Sequence, residues 1–121
     1  MRILVVDDDA DSADQLAEGL RALGHDAIVA RSADEALALS DLQADAAILD
    51  IHLEGASGLE LAKELRRRGH TMRLIAWTGD ARITEATCRA AGFDAFMTKP
   101  ISMARLAAVA RSASGAFKTV D

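Results

Sequence analysis

The chain has 121 residues, half of them apolar, and a formal net charge of -5 with acidic and basic side chains mixed along its length. That length supports one domain with one core, and the charge leaves no basic footprint for nucleic acid or a membrane surface. A single cysteine, Cys88, excludes an internal disulfide and a cysteine-based zinc cluster. With no signal-peptide pattern and no apolar stretch near the ~20 residues of a membrane span, a cytoplasmic protein or domain is expected.

Residues 2–6 (Arg2-Ile3-Leu4-Val5-Val6) form a β-branched run that ends on Asp7-Asp8-Asp9. A helix is predicted over 12–23, where Ala13, Leu16, Ala17, Leu20 and Leu23 recur at three-and-four spacing. Residues 26–30 give a second strand, short and more polar, as suits a sheet edge. Ser32-Ala33-Asp34-Glu35 matches a capping box and opens a helix over 33–41. The third strand, 45–49, is closed by Asp50. Ser57-Gly58-Leu59-Glu60 is a second capping box, opening a helix over 58–68. The fourth strand, 73–77, is followed by Thr78 and a helical pattern over 81–91. The fifth, 93–97, precedes Lys99-Pro100 and a last helix over 102–113, with Met103, Leu106, Ala107 and Ala110 on one side. Gly24, Gly69 and Gly92 stand where helices stop, since glycine enters the left-handed region at low cost. The core is expected within 2–113, and 114–121 reads as a frayed tail or the start of a linker.

Five βα units in succession predict an α/β domain with a parallel sheet covered on both faces. Right-handed crossovers are nearly obligatory. Strand order 2-1-3-4-5 gathers the carboxyl ends of strands 1, 3 and 5 around one crevice, where ligands of open α/β sheets bind. Order 3-2-1-4-5 remains open on pattern alone.

Asp7, Asp8, Asp50 and Lys99 then converge at one sheet edge. Crowded carboxylates repel one another, and a cation relieves that cost. An all-oxygen site of a few acids suits Mg²⁺. Zinc is disfavoured, because His25, His52 and His70 show no ligand spacing. One of the early acids, Asp9 or Asp11, is suited to capping the first helix. Thr78 offers a hydroxyl to a phosphoryl oxygen. Pro100 biases Lys99 toward extended backbone, and a cis bond there is a second way to aim the ammonium over the crevice. No glycine-rich phosphate loop is present. A covalent route remains, in which an aspartate attacks phosphorus and the metal, Lys99 and Thr78 stabilise the oxygens.

The elements Ile3-Leu4-Val5-Val6-Asp7-Asp8, Asp50, Gly55 and Gly58, Thr78 and Lys99-Pro100 occur in that order, and with them the chain resembles the receiver domain of two-component response regulators, including the chemotaxis regulators. The resemblance covers residues 2 to about 113. It implies a flavodoxin-like (βα)5 three-layer fold with order 2-1-3-4-5. It implies Asp50 as phosphoacceptor, with Thr78 and Lys99 contacting the phosphoryl group. Asp8 and Asp7, with the backbone carbonyl of His52, are the implied ligands of Mg²⁺, for which Mn²⁺ can substitute. The implied donor is a histidine kinase or histidine phosphotransfer protein. A downstream protein would be reached through the surface of helix 4, strand 5 and helix 5, by a monomer or a weak phosphorylation-dependent dimer. Neither nucleic-acid contact nor membrane insertion is implied, and the module is not a turnover enzyme.

Several positions depart from the family pattern. Glu54 stands where a proline is usual, which is expected to loosen the loop after Asp50 and add negative charge near the metal; Gly79 stands where an alanine is common after the threonine, so the loop after the fourth strand is expected to be more mobile. Phe96 occupies a switch-aromatic position without the tyrosine hydroxyl. His52 and Asp80 stand two beyond Asp50 and Thr78, where they would tune water attack. Trp77 is expected to pack in or beside the sheet, and Thr84, Glu85, Thr87 and Arg105 are candidates for the output face. A stand-alone receiver and a piece of a longer regulator or hybrid kinase both fit the pattern. Two other classes are a phosphorylation-independent protein-docking domain and a hydrolase using Asp50 as nucleophile. The second lacks a cap domain or long substrate loop within this chain.

Overall fold

Alternation of side chains along short apolar runs sets the architecture. In Arg2–Val6 (β1), Ile3 and Val5 leave one face and Leu4 and Val6 the other, and all four are buried. Ala46–Asp50 (β3) is buried throughout and Arg73–Thr78 (β6) is buried from its second residue onward. A sheet of such strands needs cover on both sides. The computed structural model describes residues 1–39, 43–99, 102, 104, 105, 108 and 118–120, and supplies that cover. Ala10–Ala22 (α1) presses Ala13, Leu16, Ala17 and Leu20 onto Ile3, Val5, Ile48, Ile75 and Met97. Ala33–Leu39 (α2), Gly58–Arg67 (α3) and Glu85–Ala91 (α4) cover the opposite face, where Ala36, Leu61, Leu65 and Cys88 meet Leu4, Leu49, Leu74 and Phe96. Burial pushes the Cys88 thiol up to about 11, so it serves as a small core residue.

Five parallel strands run in the order β2-β1-β3-β6-β7, where β2 is Asp26–Ala30 and β7 is Ala95–Thr98. This is the order 2-1-3-4-5, and the more polar second strand lies at the edge. Within the stretch read as a tail, Lys118–Val120 (β8) pairs in parallel outside β7, where a strand edge offers unpaired backbone groups. A small antiparallel pair, His52–Leu53 (β4) with Ala56–Ser57 (β5), follows Asp50 and was not predicted.

The local signals act as expected, with corrections at the boundaries. Ser32 accepts the Glu35 N–H at 3.0 Å, the contact a capping box calls for, whereas Ser57 caps α3 by accepting the Leu59 N–H at 3.1 Å, one residue short of that pattern, and the Glu60 carboxylate accepts from Lys63 at 3.3 Å. Asp9 caps α1 by accepting from Asp11 N at 3.1 Å. Gly24, Gly69 and Gly92 all have positive φ. Leu23 falls outside the apolar stripe of α1, because it is the C-cap and is exposed. The helix predicted from residue 81 starts at Glu85. Asp80 folds the intervening residues into a turn by accepting the Arg82 N–H at 2.9 Å, and Thr84 supplies the cap. Pro100, Met103, Leu106, Ala107 and Ala110 lie outside the described residues, while Ala104, Arg105 and Ala108 are helical. No helix among the described residues is long and apolar enough to cross a membrane.

Away from the strand ends that carry the acids, Arg66 ties α3 to β6 and β7. Its guanidinium donates to the carbonyls of Gly92, His70 and Met72 and to Asp94 Oδ2, at 2.7–3.1 Å. Asp94 also accepts the Leu74 N–H at 2.9 Å. That engagement explains why the fifth strand begins at Ala95 rather than Phe93.

Candidate functional site

The hydrophobic run of β1 ends one residue before Asp7, and that of β3 ends on Asp50, so the neighbouring strands deliver both carboxylates to one edge. Asp7 is 0% exposed and Asp50 6%, while Asp8 is exposed. One ligand atom from each of Asp7, Asp8 and Asp50 lies within 4.8 Å of the others. From the end of β7, Lys99 reaches over this cluster. Its Nζ donates to Asp7 Oδ2 at 3.0 Å and to Asp50 Oδ2 at 3.3 Å.

Each carboxylate is held in place by backbone. Asp7 Oδ1 accepts the Asp9 N–H at 2.9 Å, and Asp50 Oδ1 accepts the His52 N–H at 3.2 Å. Asp8 Oδ2 accepts the Glu54 N–H at 2.6 Å. A proline at position 54 has no proton to give there, so the departure from the family pattern supplies a bond to this acid. Thr78, at the end of β6 and 1% exposed, accepts the Asp80 N–H at 3.0 Å on Oγ1, which leaves its own proton to donate elsewhere.

The electrostatics of the cluster favour a bound cation. Burial raises the Asp50 carboxyl most, and Asp7 raises it further; Lys99 opposes both, and the outcome is about 6. Burial also works against the Lys99 charge, but the Asp7 hydrogen bond and the attraction of Asp50 and Asp7 outweigh it and hold the ammonium above its ordinary value. Three carboxylates and one ammonium leave the cluster doubly negative when all are ionised. Hard carboxylate oxygens at this separation fit a divalent cation of the oxygen-preferring class.

The expected residues Asp7, Asp8, Asp50 and Lys99 are thus brought together, and Thr78 stands at the neighbouring strand end. His52 contributes its amide to Asp50, and its exposed imidazole meets Asp80 instead: Nε2 to Oδ2 is 2.7 Å. Arg82, which the sequence did not single out, donates to both Asp80 oxygens at 3.0 Å. That guanidinium, followed by its own backbone amide and His52, holds the Asp80 carboxyl well below the usual carboxylate range. The one sequence signal for Arg82 is the spacing of an acid and a base within a loop. A cleft of about 400 Å³ opens between this loop and β7, lined by Thr78, Gly79, Asp80, Ile83, Phe96 and Lys99. Phe96 forms its buried side.

The family model described as "Response regulator receiver domain" matches residues 3–111. The chain is 36% identical over 101 residues to the "Uncharacterized transcriptional regulatory protein YrkP" of Bacillus subtilis, across 84% of this chain and 44% of that protein. It is 36% identical over 114 residues to the "Sensory transduction protein RegX3" of Mycobacterium tuberculosis, across 90% of this chain and 50% of that protein. It therefore spans about half the length of these relatives. The solved receiver domain from Methylobacillus flagellatus shares 32% identity at a TM-score of 0.83, covering 93% of this chain and 97% of that one. The receiver domain of NtrX from Brucella abortus shares 35% at 0.82, covering 89% and 93%. By sequence, strand order and the acidic cluster at the sheet edge, the chain belongs to the response regulator receiver domain family.

Proposed function

We propose that this chain is the phosphoacceptor module of a two-component phosphorelay and that Asp50 accepts the phosphoryl group. The observation that carries this reading is the Lys99 bridge: one ammonium binds both Asp50 and the buried Asp7, beside Asp8 and next to the Thr78 strand end. The donor is a phosphohistidine of a histidine kinase or a phosphotransfer protein. An Asp50 carboxylate oxygen attacks phosphorus, forming the O–P bond as the P–N bond breaks. The electron pair returns to the donor imidazole, which takes up a proton. Lys99 and the Thr78 hydroxyl donate to the equatorial oxygens, where charge is greatest in the transition state. Asp7, Asp8 and the His52 carbonyl would hold Mg²⁺, or Mn²⁺ in its place. When bound, the ion neutralises the charge of the cluster and of the entering phosphoryl group. Later attack by water on phosphorus releases phosphate and restores the Asp50 carboxylate. The chain is a switch in this scheme, rather than a catalyst acting on a stream of substrates.

Transfer adds ~1.5–2 negative charges at neutral pH. Thr78 and Lys99 are drawn toward them, which biases two pre-existing arrangements of the β6–α4 loop and β7. The surface of α4, β7 and the last helix then differs for a downstream protein. We take Thr84 and Thr87, whose hydroxyls lie 3.0 Å apart, together with Glu85 and Arg105, as the contributors to that surface. We assign the module to the cytoplasm, a reducing compartment compatible with its free Cys88 thiol. Intact-mass measurement with acetyl phosphate tests the assignment. A phosphoryl mass gain that requires Mg²⁺ and disappears in Asp50→Ala supports it. No gain in the wild type favours a docking domain that works without phosphorylation.

A further inference from the structure

Trp77 is the only tryptophan of the chain and stands next to Thr78 at the end of β6. In the parallel register Asp50 pairs with Trp77 and Trp77 with Met97, so these side chains leave the sheet on one face. Lys99, two residues beyond Met97, returns over that face. Its Nζ lies 4.4 Å from the centroid of the Trp77 ring. An ammonium has three protons. The carboxylates of Asp7 and Asp50 take two directions, at 3.0 and 3.3 Å, and the indole face closes a third.

The indole packs in the core beneath α1 with Ile48, Ile75 and Met97, apolar packing that does not itself call for a tryptophan. Trp77 is 5% exposed, and its Nε1 is buried with no hydrogen-bond partner among the described residues. An unmet buried donor lowers stability, so a hydrogen bond does not account for the residue. Its broad electron-rich face does, since tryptophan is the side chain best suited to attract a cation through its ring.

We propose that Trp77 is a positioning residue for Lys99, holding the ammonium between Asp7 and Asp50 while the phosphoryl group is transferred. This rests on the phosphoacceptor reading. During transfer the Asp50 oxygen becomes bonded to phosphorus, and Lys99 exchanges that partner for a phosphoryl oxygen. The ring is unchanged by the chemistry and serves as a fixed wall from which the ammonium makes this short shift. Burial of the ring also keeps water from that side of Lys99, where it would compete for the same protons.

Two measurements test the clamp. In the first, the emission spectra of wild type and Lys99→Met are compared without Mg²⁺, with Trp77 as the sole indole. Removing a cation from the ring should change both the intensity and the maximum. Superimposable spectra overturn the proposal. In the second, the rate of phosphoryl mass gain from acetyl phosphate at saturating Mg²⁺ is followed in Trp77→Phe and Trp77→Leu, each first shown to be folded by circular dichroism. We expect Trp77→Leu to be about tenfold slower and Trp77→Phe to stay within about threefold of wild type, because phenylalanine restores a ring face. Equal rates in the two variants overturn the clamp alone. If wild type gains no mass, the phosphoacceptor reading fails, and the spectra still decide whether the indole holds the ammonium.

Discussion

A Cβ placed on Gly58 would stand 2.1 Å from the backbone carbonyl oxygen of Asp50. The first residue of α3 and the proposed phosphoacceptor are therefore in backbone contact, and the Gly58 N–H donates to the next carbonyl, that of Ile51, at 2.7 Å. Gly58→Ala must push the end of β3 aside, at a cost of about 3 kcal/mol. Gly79 differs, because a Cβ there meets only Lys99 Cβ, at 3.7 Å. Gly79→Ala should fold with unchanged or slightly greater stability. Urea denaturation of both variants checks the contrast, and equal stabilities would contradict the close approach.

Asp50 carries a pH signature. Its folded pKa is raised, from an ordinary 3.8 to about 6, so the fold favours the protonated form. This contribution is fully present below about pH 4 and is lost as pH rises through 6. At neutral pH the ionised carboxylate costs on the order of 2–3 kcal/mol. Asp50→Asn should thus melt higher than wild type above pH 6 in metal-free buffer, with the gap closing toward pH 4. Thermal unfolding across that range provides the check, and a gap that widens toward acid would reverse the sign.

Metal binding should be legible in stability through Asp8 and Glu54. Mg²⁺ at tenfold above its Kd stabilises the folded state by about 1.4 kcal/mol, several degrees in Tm. Asp8→Asn removes a ligand charge and should abolish most of that rise. Glu54→Pro removes the N–H that pins Asp8 at 2.6 Å, whereas Glu54→Ala keeps it. The metal-induced rise should therefore fall in the proline variant and persist in the alanine variant. A rise lost equally in both would show that the glutamate side chain, rather than its amide, matters.

His52, Asp80 and Arg82 form a strap between the loop after β3 and the loop after β6. An exposed pair of this kind is weak, so breaking it should change a rate by only about two- to fivefold. His52→Ala and Asp80→Ala should each shorten the half-life of the phosphorylated protein by that factor, by opening the cleft to water. Half-lives read from the decay of the phosphorylated mass decide it. Values unchanged in both variants would remove the strap from any part in water attack.

Much of this molecule was legible from local physics. Apolar runs closed by Asp7 and Asp50 marked strands ending at a site, because a buried strand tolerates acids only where it reaches the edge. Ser32 and Ser57 marked helix starts, and Gly24, Gly69 and Gly92 marked stops, since caps and left-handed turns are decided by a few neighbouring residues. Pattern alone left two strand orders open, however, and the tertiary structure places β1 between β2 and β3. It also decided every contact made across the chain. Lys99 meets Asp7 over 92 positions, Arg66 collects carbonyls from two loops together with the Asp94 carboxylate of one of them, and Trp77 faces the ammonium from a neighbouring strand. These depend on strand register and helix docking, which are set by packing of the two cores and carry no period that a single stretch of residues can display.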